Sequence, residues 1–339
     1  MNEIPIPGSN RSTTPAAALI WGALLLLTVM SAVARPGLFV DQAVGGLVYG
    51  LVLVLIALGL SIVLGLLGIV NFAHGALFML GAYFTFQFME VWGVSFWATL
   101  VLAPLAVGLV GVVIERSVLR HLYDEDPLNG LLATFGIAMM LGEATRATWG
   151  GSPLSVTTPE VLDLGLNLGV TTVSRIRIFT VVVSVVVIAA VYLLIERTDF
   201  GLSVRAGVLD REMAEFLGVN MNVRFISMFV LGAAIAGLGG VLRGSAVGME
   251  LGMANQFIIL AFVVVVVGGI GSLFGSVVAG ILIGEASYLT PLYLQTLADV
   301  TSIQAINIPG ISGLVPYLVM IVVLLARPRG LFGQEGFLE

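Results

Sequence analysis

Cysteine is absent from this 339-residue chain, which removes disulfides, thiolate metal sites and cysteine nucleophiles together. Histidine is almost absent: His74 and His121 stand too far apart for a two-histidine metal motif. Charged residues make up 10% of the chain, against about 25% in soluble domains. The 14 Lys and Arg residues form no block able to follow a phosphate backbone, and the net charge of −6 is small for this length, so nucleic acid is not an expected partner. No G-x-x-x-x-G-K-[ST] loop, metal-ligand cluster or G-x-S-x-G elbow occurs, so the chain has no recognised device for holding nucleotide phosphates or for covalent catalysis. No catalytic, cofactor or metal residue is expected, and any ATP and Mg used must be handled by other chains.

What the chain has instead is apolar surface: 59% hydrophobic residues and a mean hydropathy of +1.11. Apolar stretches recur at 16–33, 44–67, 73–91, 95–114, 128–147, 178–195, 225–247, 257–267, 273–289 and 311–326, most of them near the length a hydrocarbon core demands. They predict an all-α, polytopic membrane protein of about eight to ten transmembrane helices, some broken or re-entrant because several are short or glycine-rich. The expected organisation is a leader over 1–15, a membrane domain over 16–326 with a charged segment at 196–222, and a tail over 327–339. Ala32-Val33-Ala34 also fits a signal-peptide cleavage site, but the first stretch is read as a retained helix.

Arginine in short loops sets orientation, since such loops stay cytoplasmic. Arg116 and Arg120, then Arg197, Arg205, Arg211 and Arg224, then Arg327 and Arg329 fall on one side if there are ten spans. That side is cytoplasmic, with both termini, the leader and the tail on it, and 149–174 faces outward. Arg35, Arg146, Arg175, Arg177 and Arg243 run against the pattern, at outer ends.

Two glycine-rich segments interrupt the apolar runs. One, from Gly65 through Gly68, Asn71 and His74 to Gly75, reads as a helix break, tolerated in a membrane only where freed backbone groups are buried or line a wet cavity. Either it borders a translocation path, or Asn71 and His74 cap helix ends and bond across helices. The other, Gly268-Gly269-Ile270-Gly271-Ser272-Leu273-Phe274-Gly275, repeats the Gly68 to Gly75 spacing, through an internal repeat or through chance and close packing. Acids at span ends escape the roughly 2.5–3.5 kcal/mol cost of a charge at a helix centre. Glu285 lies inside an apolar run and is a candidate for contact with a solute or a coupling proton.

Residues 196–222 are too charged to span. Asp210 can cap a short helix in which Met213, Phe216 and Leu217 share a face, Arg211, Glu212 and Glu215 are polar, and Gly218 supplies a stop. A helix on a lipid surface would carry several cations on its polar face, so this one is expected to dock on protein.

Four stretches carry a resemblance: GIVNFAHGALFMLGAY from Gly68, LDREMAEFLGVN from Leu209, VVVVGGIGSLFGSVVAG from Val264 and RPRGLFG from Arg327. In these the chain resembles the LivH-type membrane permeases of ATP-binding-cassette importers for branched-chain amino acids. The resemblance implies a bacterial inner-membrane complex with two ATPase subunits, a second, LivM-like permease and a periplasmic solute-binding protein, and it makes Asp210 to Gly218 the coupling helix that fits an ATPase groove. Relatives of this architecture also carry amides, urea and other carboxylic acids. The rival reading is a self-contained channel or secondary transporter for a small polar solute, which would leave the cytoplasmic helix without a partner.

Overall fold

A computed structural model of the protein describes residues 15–67, 70–123 and 125–333. Nearly all of the expected leader, Gly68 and the tail beyond Gly333 lie outside them. All ten apolar stretches form helix, as they must where no water is present to satisfy backbone N–H and C=O groups. Helix α1 (Pro15–Ala34) leads at Arg35 into α2 (Pro36–Leu67). After the first break come α3 (Ala73–Phe86), continued by a π-helical turn over Gln87–Val91, then α4 (Phe96–Ser117) and α5 (Pro127–Trp149). The connection to α7 (Arg175–Arg197) holds a one-turn α6 (Glu160–Asp163) and an antiparallel ribbon of β1 (Gly165–Asn167) and β2 (Thr172–Ser174). Two short helices, α8 (Asp199–Leu209) and α9 (Arg211–Phe216), precede α10 (Met221–Val247). Helices α11 (Met253–Gly268), α12 (Leu273–Thr301) and α13 (Val315–Ala326) complete the chain.

Among the described residues six helices, α2, α4, α5, α7, α10 and α12, are long and apolar enough to cross a bilayer, and α13 with the turns before it, bent by 85°, is either a broken seventh span or a re-entrant loop. One of the expected spans is short for a physical reason. Helix α11 has 16 residues, about 24 Å at 1.5 Å per residue, against roughly 30 Å of hydrocarbon. It ends, as α3 begins, at a glycine-rich break.

Helices α2, α3, α10, α11 and α12 form the buried centre, with Leu53, Ile56, Phe78, Phe257 and Val264 inside. Helices α4, α5 and α7 turn Leu109, Met140 and Val186 outward. Because lipid is as apolar as leucine, close backbone approach rather than water exclusion joins such helices, and small residues permit it. A Cβ on Gly50 of α2 would sit 2.7 Å from the Gly280 carbonyl oxygen of α12, and one on Gly240 of α10 would collide with the Phe78 carbonyl oxygen of α3.

Loop contacts sort the two ends. At one end Tyr123 packs edge-on against Phe225 at 5.4 Å, beside α9. The C-terminal Arg327–Gly333 segment lies at this end too, where the Leu331 and Phe332 N–H groups donate to the Val267 and Gly268 carbonyls at 2.8 and 3.0 Å. These are orphan acceptors at the end of α11, so the R-P-R-G-L-F-G motif is a helix cap supplied from a distant part of the chain. Gly330, at φ +79°, makes the turn. At the opposite end Arg35 pairs with Asp299 at 2.6 Å, Arg177 with Asp41 at 2.7 Å, and Arg146 with Glu143 at 3.5 Å. Three of the cations that defied the loop pattern are thus held by carboxylates.

Candidate functional site: an exposed short helix and two adjoining breaks

The segment between α7 and α10 folds back as two helices because each has its own cap. The Thr198 hydroxyl accepts from the Gly201 N–H at 3.3 Å, and the Asp210 carboxylate accepts from the Met213 N–H at 2.8 Å. Gly218, at φ +86°, ends α9. Ala214 alone of α9 is buried, against Met221 and Phe225. Arg211 lies 5.3 Å from the centre of the Phe225 ring and bonds Glu215 at 3.3 Å, while Glu212 is exposed. These contacts pin the helix and leave its apolar face free: Met213 is 54% exposed, Phe216 78% and Leu217 79%. Leu209, 88% exposed just before the cap, enlarges that face. Sequence reasoning missed it, although an apolar residue preceding a helix cap was the available signal. Beneath, the Tyr123 hydroxyl donates to Glu115 at 2.9 Å; burial and that carboxylate push the tyrosine pKa up, so it stays a neutral donor.

At the first break Asn71 and His74 are fully buried. The Asn71 side-chain oxygen accepts from the Ala73 N–H at 3.0 Å and starts α3. His74 Nε2 lies 3.1 Å from the Ile56 carbonyl oxygen of α2 and beside Gly59 of the same helix, while Asn71 Nδ2 and His74 Nδ1 have no hydrogen-bond partner among the described residues. Thr134 of α5 clamps the break: its hydroxyl accepts from the Phe72 N–H at 3.2 Å and lies 3.1 Å from the Val70 carbonyl. Thr134→Val therefore strands a backbone donor and is expected to cost about 1–3 kcal/mol. The unfolding midpoint in detergent should fall and exchange of the Phe72 amide should quicken, whereas Thr134→Ser should resemble the wild type; equal midpoints for all three would show that the clamp is idle.

The second break is a tight turn in which Gly269 and Gly271 have φ of +102° and +80° and Gly268 packs directly on Gly275. A Cβ on Gly65, near the end of α2, would lie 3.6 Å from Gly271 Cα, so the two breaks adjoin. Gly75 instead faces the Ala254 carbonyl and Ile258 of α11. Glu285 stands apart from both breaks, along α12 against Gly46 of α2, half-buried.

A multi-pass helical bundle with adjoining helix breaks and an exposed apolar helix at one end defines a polytopic helical membrane protein. Residues 42–324 match the family model described as "Branched-chain amino acid transport system / permease component", and the chain belongs to that family. It is 31% identical to the high-affinity branched-chain amino acid transport system permease protein BraD of Pseudomonas aeruginosa, over 87% of this chain and 96% of that one. It is 28% identical to LivH of Escherichia coli over the same shares. A more distant likeness, 24%, joins it to LivM of Salmonella typhimurium, over 91% of this chain and 74% of that protein.

Proposed function

We propose that this chain is a permease subunit of an ATP-driven importer in a bacterial inner membrane, taking up branched-chain amino acids or related small carboxylate or amide solutes. The observation that carries the reading is the short helix α9, held by its cap and by Ala214 while Leu209, Met213, Phe216 and Leu217 face outward. Such a face needs a protein partner, and an ATPase subunit of the importer is the partner this reading supplies. The likeness to both LivH and LivM supports a second, LivM-like permease beside this one, with two ATPases and a periplasmic binding protein completing the complex.

The end that carries α9 is the cytoplasmic one on this reading, since Arg116, Arg120, Arg197, Arg205, Arg327 and Arg329 gather there. Closure of the ATPases would push on α9 and, through α8 and α10, rock the bundle between outward- and inward-open forms. The adjoining breaks at 70–72 and 269–272 are where packing can yield, and Gly68, Asn71, His74, Gly75, Gly268, Gly269, Gly271, Gly275 and Glu285 are the proposed path residues. The whole complex, reconstituted in liposomes, should take up labelled leucine only when ATP stands on the α9 side and the binding protein on the other. Uptake by this chain alone, without ATP, would make it a self-contained carrier or channel instead.

A further inference from the structure

At the end opposite α9 a cavity of about 410 Å³ opens between the close of α10, the start of α11 and residues 153–155 of the α5–α6 connection. Its wall is built, since Leu154 and Met249 exchange backbone hydrogen bonds at 2.9 and 2.8 Å, strapping one loop across another. Two charged side chains line it, Arg243 and Glu250, together with Gln256 and the apolar Val247, Met253 and Phe257. Phe257 also stacks on Phe78 at 4.5 Å and continues into the buried core.

Arg243 is the exceptional cation of this end. Arg35, Arg146 and Arg177 have carboxylate partners, and Arg175 reaches the Val161 carbonyl. Arg243 has neither among the described residues, although it is half-buried one turn inside an apolar helix, with its guanidinium 5.8 Å from the centre of the Phe257 ring. A cation in such a position is costly unless something pairs with it. Glu250 likewise forms no ion pair among the described residues, and the two do not pair with each other. The cavity therefore offers one unpaired cation, one unpaired anion and an apolar surface, within the volume range of small-ligand sites.

We propose that this cavity is an entry site that receives a zwitterionic α-amino acid, with Arg243 taking the carboxylate, Glu250 the ammonium group, and Met253 and Phe257 the aliphatic side chain. The inference rests on the amino-acid reading of the solute given above. It adds that the permease itself, and not only a binding protein, recognises the charged ends of the solute.

The test is ATP-dependent uptake of labelled leucine by the whole complex, binding protein included, in liposomes free of phosphatidylethanolamine, whose headgroup is also a zwitterion. Arg243→Gln and Glu250→Gln should each lower the uptake rate at least tenfold, as expected for losing one charge-assisted hydrogen bond. Arg243→Lys should keep more activity than Arg243→Gln. Co-purification of the ATPase and its basal hydrolysis should be unchanged throughout. Glu250 is exposed on a loop, so its variant should fold even if Arg243→Gln does not. Uptake within twofold of wild type in Glu250→Gln overturns this inference and leaves the importer reading standing. No leucine uptake by the wild-type complex sinks the amino-acid reading and this inference together.

Discussion

Phe216→Asp is expected to abolish co-purification of a partner ATPase with this chain while leaving the chain folded and inserted. Phe216 is 78% exposed and α9 is held instead by the Asp210 cap, by Ala214 and by Arg211 over Phe225, so the substitution removes nothing that fixes the helix. At an interface the same change deletes a large apolar anchor and buries a carboxylate. Aromatic anchors of this kind commonly contribute about 2–4 kcal/mol, and an unpaired buried charge adds to the loss, so affinity should drop by about two to three orders of magnitude. Leu217→Asp should act in the same direction, because Leu217 is equally exposed beside Phe216. Glu212→Ala should do little, since a charge at an interface rim affects encounter more than affinity. An ATPase that stays bound to Phe216→Asp in mild detergent, with the chain intact, would remove α9 from the docking surface.

Gly240→Ala should damage the fold far more than one added methyl group ordinarily does. The added Cβ would fall on the Phe78 carbonyl oxygen and crowd the Ala82 nitrogen at 3.1 Å. Both are backbone atoms of α3, so no side chain can swing aside and the helices must separate. Overpacking typically costs about 1–3 kcal/mol, and a backbone collision at a buried crossing belongs at about 3 kcal/mol or above. Gly136→Ala in α5 is the matched control: nothing lies within 4 Å of its new methyl, and replacing a helical glycine should stabilise by up to about 1 kcal/mol. The unfolding midpoint in detergent and the fraction eluting as a single species should therefore move in opposite directions for the two variants. If both melt with the wild type, close backbone approach is not what holds α3 to α10.

Much of the exposed short helix α9 was legible because every part of it is local. Asp210, Met213, Phe216 and Gly218 interact over one or two turns, and cap, face and stop follow from spacing alone. The same holds for the breaks, where glycines and Asn71 interrupt apolar runs. The surroundings of those breaks were not legible. Nothing in the sequence ties Thr134 to Phe72 or the Gly330 turn to the end of α11, because these pairs meet across the bundle. Arg243 read as a stray charge at a span end until the Leu154–Met249 bridge closed a wall around it and Glu250.

By itself the sequence determined that the chain lives in a membrane, where its helices run, where they break and which short helix stands outside. These follow from the length of apolar runs and from the rule that a backbone in lipid must satisfy itself. Only the tertiary structure decided which helices touch, that Arg35 meets Asp299 264 residues away, and that two charges of opposite sign, neither in an ion pair among the described residues, share one cavity. In water the polar face of a helix announces its buried face, but in lipid both faces are apolar. Contact is then chosen by shape, through pairs such as Gly50 with Gly280 and Gly240 with Phe78, and shape complementarity between distant segments leaves no periodic trace in the chain.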